Sequence, residues 1–233
     1  MGLAYMGWQG KKTFGTSIDQ TNNLFIFIVI AAVVGGKAFL FFENPSLYIN
    51  NPERFFSGRG FVFYGSFLFA IPTMLWFFKK HSIPTLGMLD IMAIVTCIVH
   101  AFGRLGCFMA GCCHGAPTDL AWGVVFTNPV CQADPLHTPL HPTQLLESGY
   151  IFIVMVVLLF LKNRKSFDGQ LFILYLILYA IGRFVLEFLR GDEGRGSIWD
   201  GMLSNSQVIV LLIIPVASYY YVKFNRKSKL PKN

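Results

Sequence analysis

TLGMLDIMAIVTCIVHAFGRLGCFM, residues 85–109, is long and apolar enough to cross a bilayer as one helix, yet it carries Asp90, His100 and Arg104. A spanning helix needs about 20 predominantly apolar residues. Charge in the hydrocarbon region is costly and persists where a side chain faces a bundle interior or a polar site. At about 100° per residue, Asp90, Cys97, His100 and Arg104 fall within roughly an 80° arc of one helix face. The stretch therefore predicts a membrane helix whose polar seam looks into a bundle.

Further apolar stretches fall at 22–42, 60–78, 144–161, 169–189 and 205–223. With 85–109 they predict an all-α, polytopic transmembrane bundle of about six helices, built as a single integral membrane domain over residues 1–233. A chain that is 54% hydrophobic and 13% charged is too apolar for an ordinary soluble domain. Basic residues orient the helices, because Lys and Arg collect in short cytoplasmic loops. Lys11 and Lys12, Lys79 and Lys80, the Lys162–Arg164–Lys165 cluster, and the tail from Lys223 to Lys232 all share one side of a six-helix path. The alternate loops hold Arg54, Arg59, Arg190 and Arg195 among Glu43, Glu53, Asp119, Asp134, Asp192, Glu193 and Asp200. Both termini are thus expected in the cytoplasm. The net charge of +7 describes topology and contact with anionic lipid, and nucleic acid is not an expected partner. The N-terminus has no compact apolar segment before Lys11, so a cleaved signal peptide is not expected.

The longest connection, 110–143, faces outward on this topology and is the candidate cap of an active site. Its Trp122, Val124, Val125 and Phe126 are suited to the membrane interface. Cys107, Cys112, Cys113 and His114 form C-x4-C-C-H at its start. Thiolates and imidazole suit zinc or copper, but adjacent cysteines are not a usual zinc spacing, and no metal is expected. A disulfide from Cys131 to Cys112 or Cys113 is a second reading, and packing of small polarizable side chains a third.

Two more polar rows follow. Gln144 and Glu147 share a face at the start of the helix that His141 and Pro142 introduce. Tyr175, Tyr179, Arg183 and Glu187 are spaced by four and line up, with Arg190 close to the same stripe. Arg183 and Glu187 could merely neutralise each other. Together, Arg104 and Arg183 on different helices offer forked donors for an anion such as a phosphate diester.

At these residues the chain resembles the bacterial prolipoprotein diacylglyceryl transferase family. GRLGCFMAGCCHG resembles the family signature GR-x-G-x-F-x-x-G, HPTQLLE its HP-S/T-Q-L-x-E element, and YAIGRFVLEFLR its Y-G-x-x-R-x-x-x-E-x-x-R helix. Gly35, Gly36 and Lys37 stand against a Gly-Gly-Arg turn, and Asp90 against an Asp in the signature helix. The resemblance implies an enzyme that moves diacylglyceryl from phosphatidylglycerol to the lipobox cysteine of a prolipoprotein and releases glycerol phosphate. It implies an inner-membrane protein with its active site toward the outer face, phosphatidylglycerol and a lipobox peptide as partners, no cofactor and a monomeric state. It assigns lipid-binding or catalytic positions to Arg104, Arg183, Tyr179, Glu187, Gln144 and Glu147, with Arg190, His141 and Cys107 beside them.

The chain departs from the family pattern at several points. GFVFYGSF puts Tyr64 where the family has a His before a Gly pair, and a tyrosine is normally protonated near neutral pH. His100 and His114 are the candidates to replace that base. Cys107 stands at the signature's usual Asn, and Cys112, Cys113 and His114 replace its commonly acidic and aromatic continuation, a GCCHG form that resembles a divergent branch of the family. The family usually has seven helices, and GLAYMGWQGKKTFGTS, residues 2–17, resembles only the end of its first helix and the following loop. Two alternatives accompany the transferase reading: a phospholipid-dependent transferase with another acceptor, and a non-catalytic lipid-binding relative.

Overall fold

A computed structural model describes residues 1–43, 45–50, 53, 63–190, 197–198 and 203–229. The chain is almost entirely helical and divides into two compact units, Met1 with Leu3–Met88 and Gly2 with Leu89–Asn233.

The first unit holds α1 (Gly2–Phe14), α2 (Ile18–Glu43), α3 (Pro45–Asn50) and α4 (Phe63–Lys80). Gly15 ends α1 at φ 69°, a left-handed conformation natural to glycine, and its N–H reaches Lys11 O at 3.1 Å. Ser17 and Gln20 then form a reciprocal cap on α2: Gln20 N donates to Ser17 Oγ, and Ser17 N to Gln20 Oε1. Helices α2 and α4 pair through Gly35 and Gly65, where a Cβ on either residue would overlap the other's carbonyl oxygen. Gly35, Gly36 and Lys37 therefore lie within a continuous helix rather than in a turn. The outer surface of α2, with Phe25, Ile26, Ile30 and Val33 exposed, is the apolar face that lipid requires. Tyr64 lies in the first turn of α4, and its side chain lies outside the described residues.

Helix α5 (Thr85–Ala110) begins at the end of the first unit and runs through the second. There it is joined by α6 (Thr143–Leu161), a 3-10 turn at Lys162–Arg164, α7 (Gln170–Glu187) and α8 (Asn205–Ser228). Two short antiparallel pairs, β1 (Val124–Val125) with β2 (Pro139–Leu140) and β3 (Ser197–Ile198) with β4 (Leu203–Ser204), sit between helices. Helix α7 packs against both α6 and α8. Five helices among the described residues are long and apolar enough to cross a membrane, and the chain is a multi-pass membrane protein. The sixth stretch, expected at 60–78, is helical from Phe63 to Lys80.

Asp90 corrects the reading of a single polar seam. It shares the face of His100 and Arg104, but fourteen residues of helix separate it from Arg104 by about 21 Å along the axis. Its carboxylate receives Gly169 N at 3.0 Å, Leu171 N at 2.8 Å, Phe172 N at 3.1 Å and Lys165 Nζ at 2.9 Å. Asp90 thus caps the N-terminus of α7 from a neighbouring helix, satisfying amides that have no partner within their own first turn. The Gly169 cap residue has no side chain for that task. Asp90→Ala is expected to destabilise the fold by about 3–5 kcal/mol, since it strands three amides at the start of α7 and leaves Lys165 with Asp168 as its one remaining carboxylate partner among the described residues. Thermal unfolding in detergent, with faster amide exchange at 169–172, is the measurement.

Candidate functional site

The site lies in the second unit, where α5 ends. Gly111, at φ 74°, turns the chain out of the helix, and Cys113 follows at φ 63°. The segment after it is stitched on two sides. Gly115 N donates to His141 O at 2.8 Å and His141 N to Ala116 O at 3.0 Å, while Ala116 N donates to Leu189 O at 3.0 Å. A side chain at Gly115 would overlap Leu189 O, so glycine is needed for this close approach. The turn after α5 is thereby tied to the start of α6 and the end of α7. Three segments far apart in sequence meet here.

Two side chains of the HPTQ element complete the tie. Thr143 Oγ1 donates to Cys113 O at 2.9 Å, and Gln144 Nε2 to Cys112 O at 2.7 Å. Gln144 Oε1 is buried with no partner among the described residues. His141 is held through its backbone, and its buried Nδ1 likewise has none.

Glu147, one turn further along α6, is 2% exposed. Its Oε1 is hydrogen-bonded to His100 Nε2 and forms an ion pair with Arg104 Nη2, each at 3.0 Å. A carboxylate at this depth is tolerated because charge and hydrogen bonds surround it. If Nε2 carries the proton that Glu147 accepts, Nδ1 of His100 is the basic nitrogen, and it has no hydrogen-bond partner among the described residues. The imidazole lies edge-on to Tyr179, with ring centroids 5.2 Å apart. Tyr179 in turn stacks on Tyr175 at 5.9 Å and 8°. Two tyrosines on α7 therefore wall the histidine.

Arg183 pairs with Glu187 through Nη2 at 2.5 Å and also donates from Nη2 to Ser206 Oγ at 3.2 Å. The self-neutralising pair on α7 does exist, but it does not exhaust the guanidinium. Nη1 is buried and without a partner among the described residues. Arg183 and Arg104 both act electrostatically on Glu147, which marks one shared cationic region. Ser206 is a contact that sequence reasoning missed. Its only signal was the Ser204–Gln207 capping box that starts α8 next to it.

The thiols divide differently from the disulfide reading. All five cysteines are free. Cys107, Cys112 and Cys113 have their sulfurs within 4.8 Å of one another, and Cys131 is not among them. Burial and the neighbouring Cys113 push the Cys112 thiol up to about 12. Burial also acts to raise Cys113, but hydrogen bonds with Arg190 and Cys112, with the charges of Arg190 and Arg104, outweigh it and hold the thiol below its ordinary range. Iodoacetamide at pH 8 is therefore expected to label Cys113 ahead of Cys112, as peptide mass mapping after brief exposure would read. His114 turns away from this group. Its Nδ1 donates to Gly115 O at 2.9 Å, and its Nε2 accepts from Asp134 N at 3.4 Å.

His100, Arg104, Glu147, Tyr179, Arg183, Glu187 and Gln144 thus belong to one unit: Glu147 holds His100 and Arg104, Tyr179 lies against His100, Arg183 with its partner Glu187 acts electrostatically on Glu147, and Gln144 holds the Cys112 carbonyl. His114 serves the loop instead. Comparison with known proteins bears on the family of the whole chain. The family model described as prolipoprotein diacylglyceryl transferase matches residues 1–223. A protein of Clostridium tetani named phosphatidylglycerol–prolipoprotein diacylglyceryl transferase is 37% identical over 212 residues, covering 91% of this chain and 83% of the relative. Similar proteins are found in Clostridium perfringens, at 34% identity over 86% of this chain and 77% of the relative, and in Dehalococcoides mccartyi, at 30% over 97% and 85%. With three ordered motifs contributing side chains to one unit and the family pattern extending over nearly its whole length, the chain belongs to the prolipoprotein diacylglyceryl transferase family.

Proposed function

We propose that this protein transfers diacylglyceryl from phosphatidylglycerol to the thiol of a lipobox cysteine in a prolipoprotein. The observation that carries the reading is the buried Glu147 carboxylate, which holds an imidazole and a guanidinium together on one oxygen beside the half-satisfied guanidinium of Arg183.

The chemistry requires a base for the acceptor thiol and fixed positive charge for the departing phosphate. In this reading His100 Nδ1 takes the thiol proton. The thiolate attacks the glyceryl carbon, forming a carbon–sulfur bond as the carbon–oxygen bond to phosphate breaks. Glycerol phosphate leaves with the bonding electrons on its oxygen. Glu147 is a positioning residue that fixes the tautomer of His100 and the orientation of Arg104. Arg183 Nη1 and Arg104 face the phosphate, where forked guanidinium donors suit its oxygens. Tyr179 closes the apolar side of the histidine, and Gln144 holds the thiol-bearing turn in place.

The distribution of basic residues supports cytoplasmic termini, which sets Arg104 and the 110–143 loop at the outer face of a bacterial inner membrane. That is the face on which a secreted acceptor arrives. One chain carries every group named above, which supports a monomer.

The test is purified protein with radiolabelled phosphatidylglycerol and a lipobox peptide in mixed micelles. The expected result is thioether-linked diacylglyceryl peptide and glycerol phosphate in equal amounts. Lipid turnover without peptide modification would replace the acceptor, and lipid binding without turnover would make the protein a non-catalytic relative.

A further inference from the structure

The proposed transfer leaves the cysteines at the end of α5 without a task. A thiol of the enzyme could not carry the diacylglyceryl group between substrates, because the resulting thioether has no leaving group to release it. The cluster calls for another reading.

We propose that Cys107, Cys112 and Cys113 form a three-sulfur binding site for one thiophilic metal ion, with monovalent copper the best-matched class. The three sulfurs already lie within 4.8 Å of one another. With metal–thiolate bonds of about 2.3 Å, three ligands around a trigonal ion stand about 4 Å apart, so binding needs only a small contraction. Much of the backbone is pre-set for it. Cys112 N donates to Cys107 O at 3.1 Å, which brings the two residues together across the helix end. The carbonyls of Cys112 and Cys113 are held from α6 by Gln144 and Thr143. All three cysteines are half-buried, so an ion has access while the sulfurs stay in place.

The donor set selects the ion. His114 is adjacent in sequence but uses both ring nitrogens elsewhere, and no fourth His, Cys or carboxylate ligand joins the group among the described residues. Zinc in structural sites takes four ligands. Soft sulfur-only donors favour monovalent copper. Each thiol gives up its proton on coordination, so the loaded site is anionic. Arg190, hydrogen-bonded to Cys113, and Arg104, in electrostatic contact with it, offset that charge. The step involves no oxidation or reduction.

The experiment is anaerobic titration of reduced, full-length protein in detergent with monovalent copper against a chromophoric chelator, followed by X-ray absorption at the copper edge. One copper per chain is expected, bound by three sulfurs at about 2.3 Å. Cys107→Ser, Cys112→Ser and Cys113→Ser should each weaken binding by more than about a hundredfold, beyond the usual effect of losing an outer-shell partner. Cys97→Ala, in the buried middle of α5, should leave binding unchanged. Absence of stoichiometric copper, a two-sulfur spectrum from the wild-type protein, or undiminished binding by Cys112→Ser would overturn the site. The wild-type spectrum decides the question even if a variant misfolds, and none of these readouts depends on transferase activity.

Discussion

Replacing His100 by glutamine is expected to lower kcat by about 10²–10⁴-fold, the usual contribution of a positioned general base. Glutamine can still donate to the Glu147 carboxylate, so the Arg104–Glu147 contact survives and the protein should stay folded. What disappears is the basic nitrogen on the far side of the ring. The effect should therefore fall on kcat with little change in KM for phosphatidylglycerol, as initial rates over a range of lipid concentrations would show. Acceptor peptide supplied at a pH where its thiol is already ionised should recover part of the lost rate. Full activity in His100→Gln would remove His100 as the base. His114 would not be the natural replacement, because its lone pair is taken by the Asp134 amide.

Arg183→Lys should cost about 10²–10³-fold in kcat, the range found when one donor to a developing anion is removed. The substitution keeps a positive charge near Glu187, so the buried carboxylate is not stranded. It removes the planar fork, and with it the Nη1 donors that have no partner among the described residues. Arg183→Ala would confound two effects, since loss of one partner from a buried pair destabilises by about 3–5 kcal/mol. A double change, Arg183→Gln with Glu187→Gln, separates them by removing both charges while preserving polar side chains. If that variant melts like the wild type yet fails to turn over lipid, Arg183 acts on the reaction. If Arg183→Lys retains wild-type kcat, the guanidinium serves only the fold.

Several of these residues were legible in the sequence for a simple reason. Ionisable groups inside apolar runs of membrane length have few benign explanations, so His100, Arg104, Glu147 and Arg183 declared themselves by position. Helical periodicity then grouped Tyr175, Tyr179, Arg183 and Glu187 on one stripe. The same reasoning failed for Asp90. A face is defined by rotation about the axis, whereas a site also requires proximity along it. Asp90 shares the angle of Arg104 but lies at the other end of the helix, where the exposed amides of α7 need an acceptor.

Sequence by itself determined the class of the molecule: apolar stretches of spanning length, basic loops on alternate sides, and the residue types able to hold a phosphate and ionise a thiol. These follow from composition and period, which are local properties. Tertiary structure alone decided the partners. It set His100 and Arg104 on one oxygen of Glu147 and left Nη1 of Arg183 without a partner among the described residues. It also turned His114 into the loop and gathered Cys107 with Cys112 and Cys113 while leaving Cys131 apart. Such choices depend on distances between segments tens of residues apart. Those distances are set by the packing of α6 and α7 and by the close approach at Gly115, which no local pattern encodes.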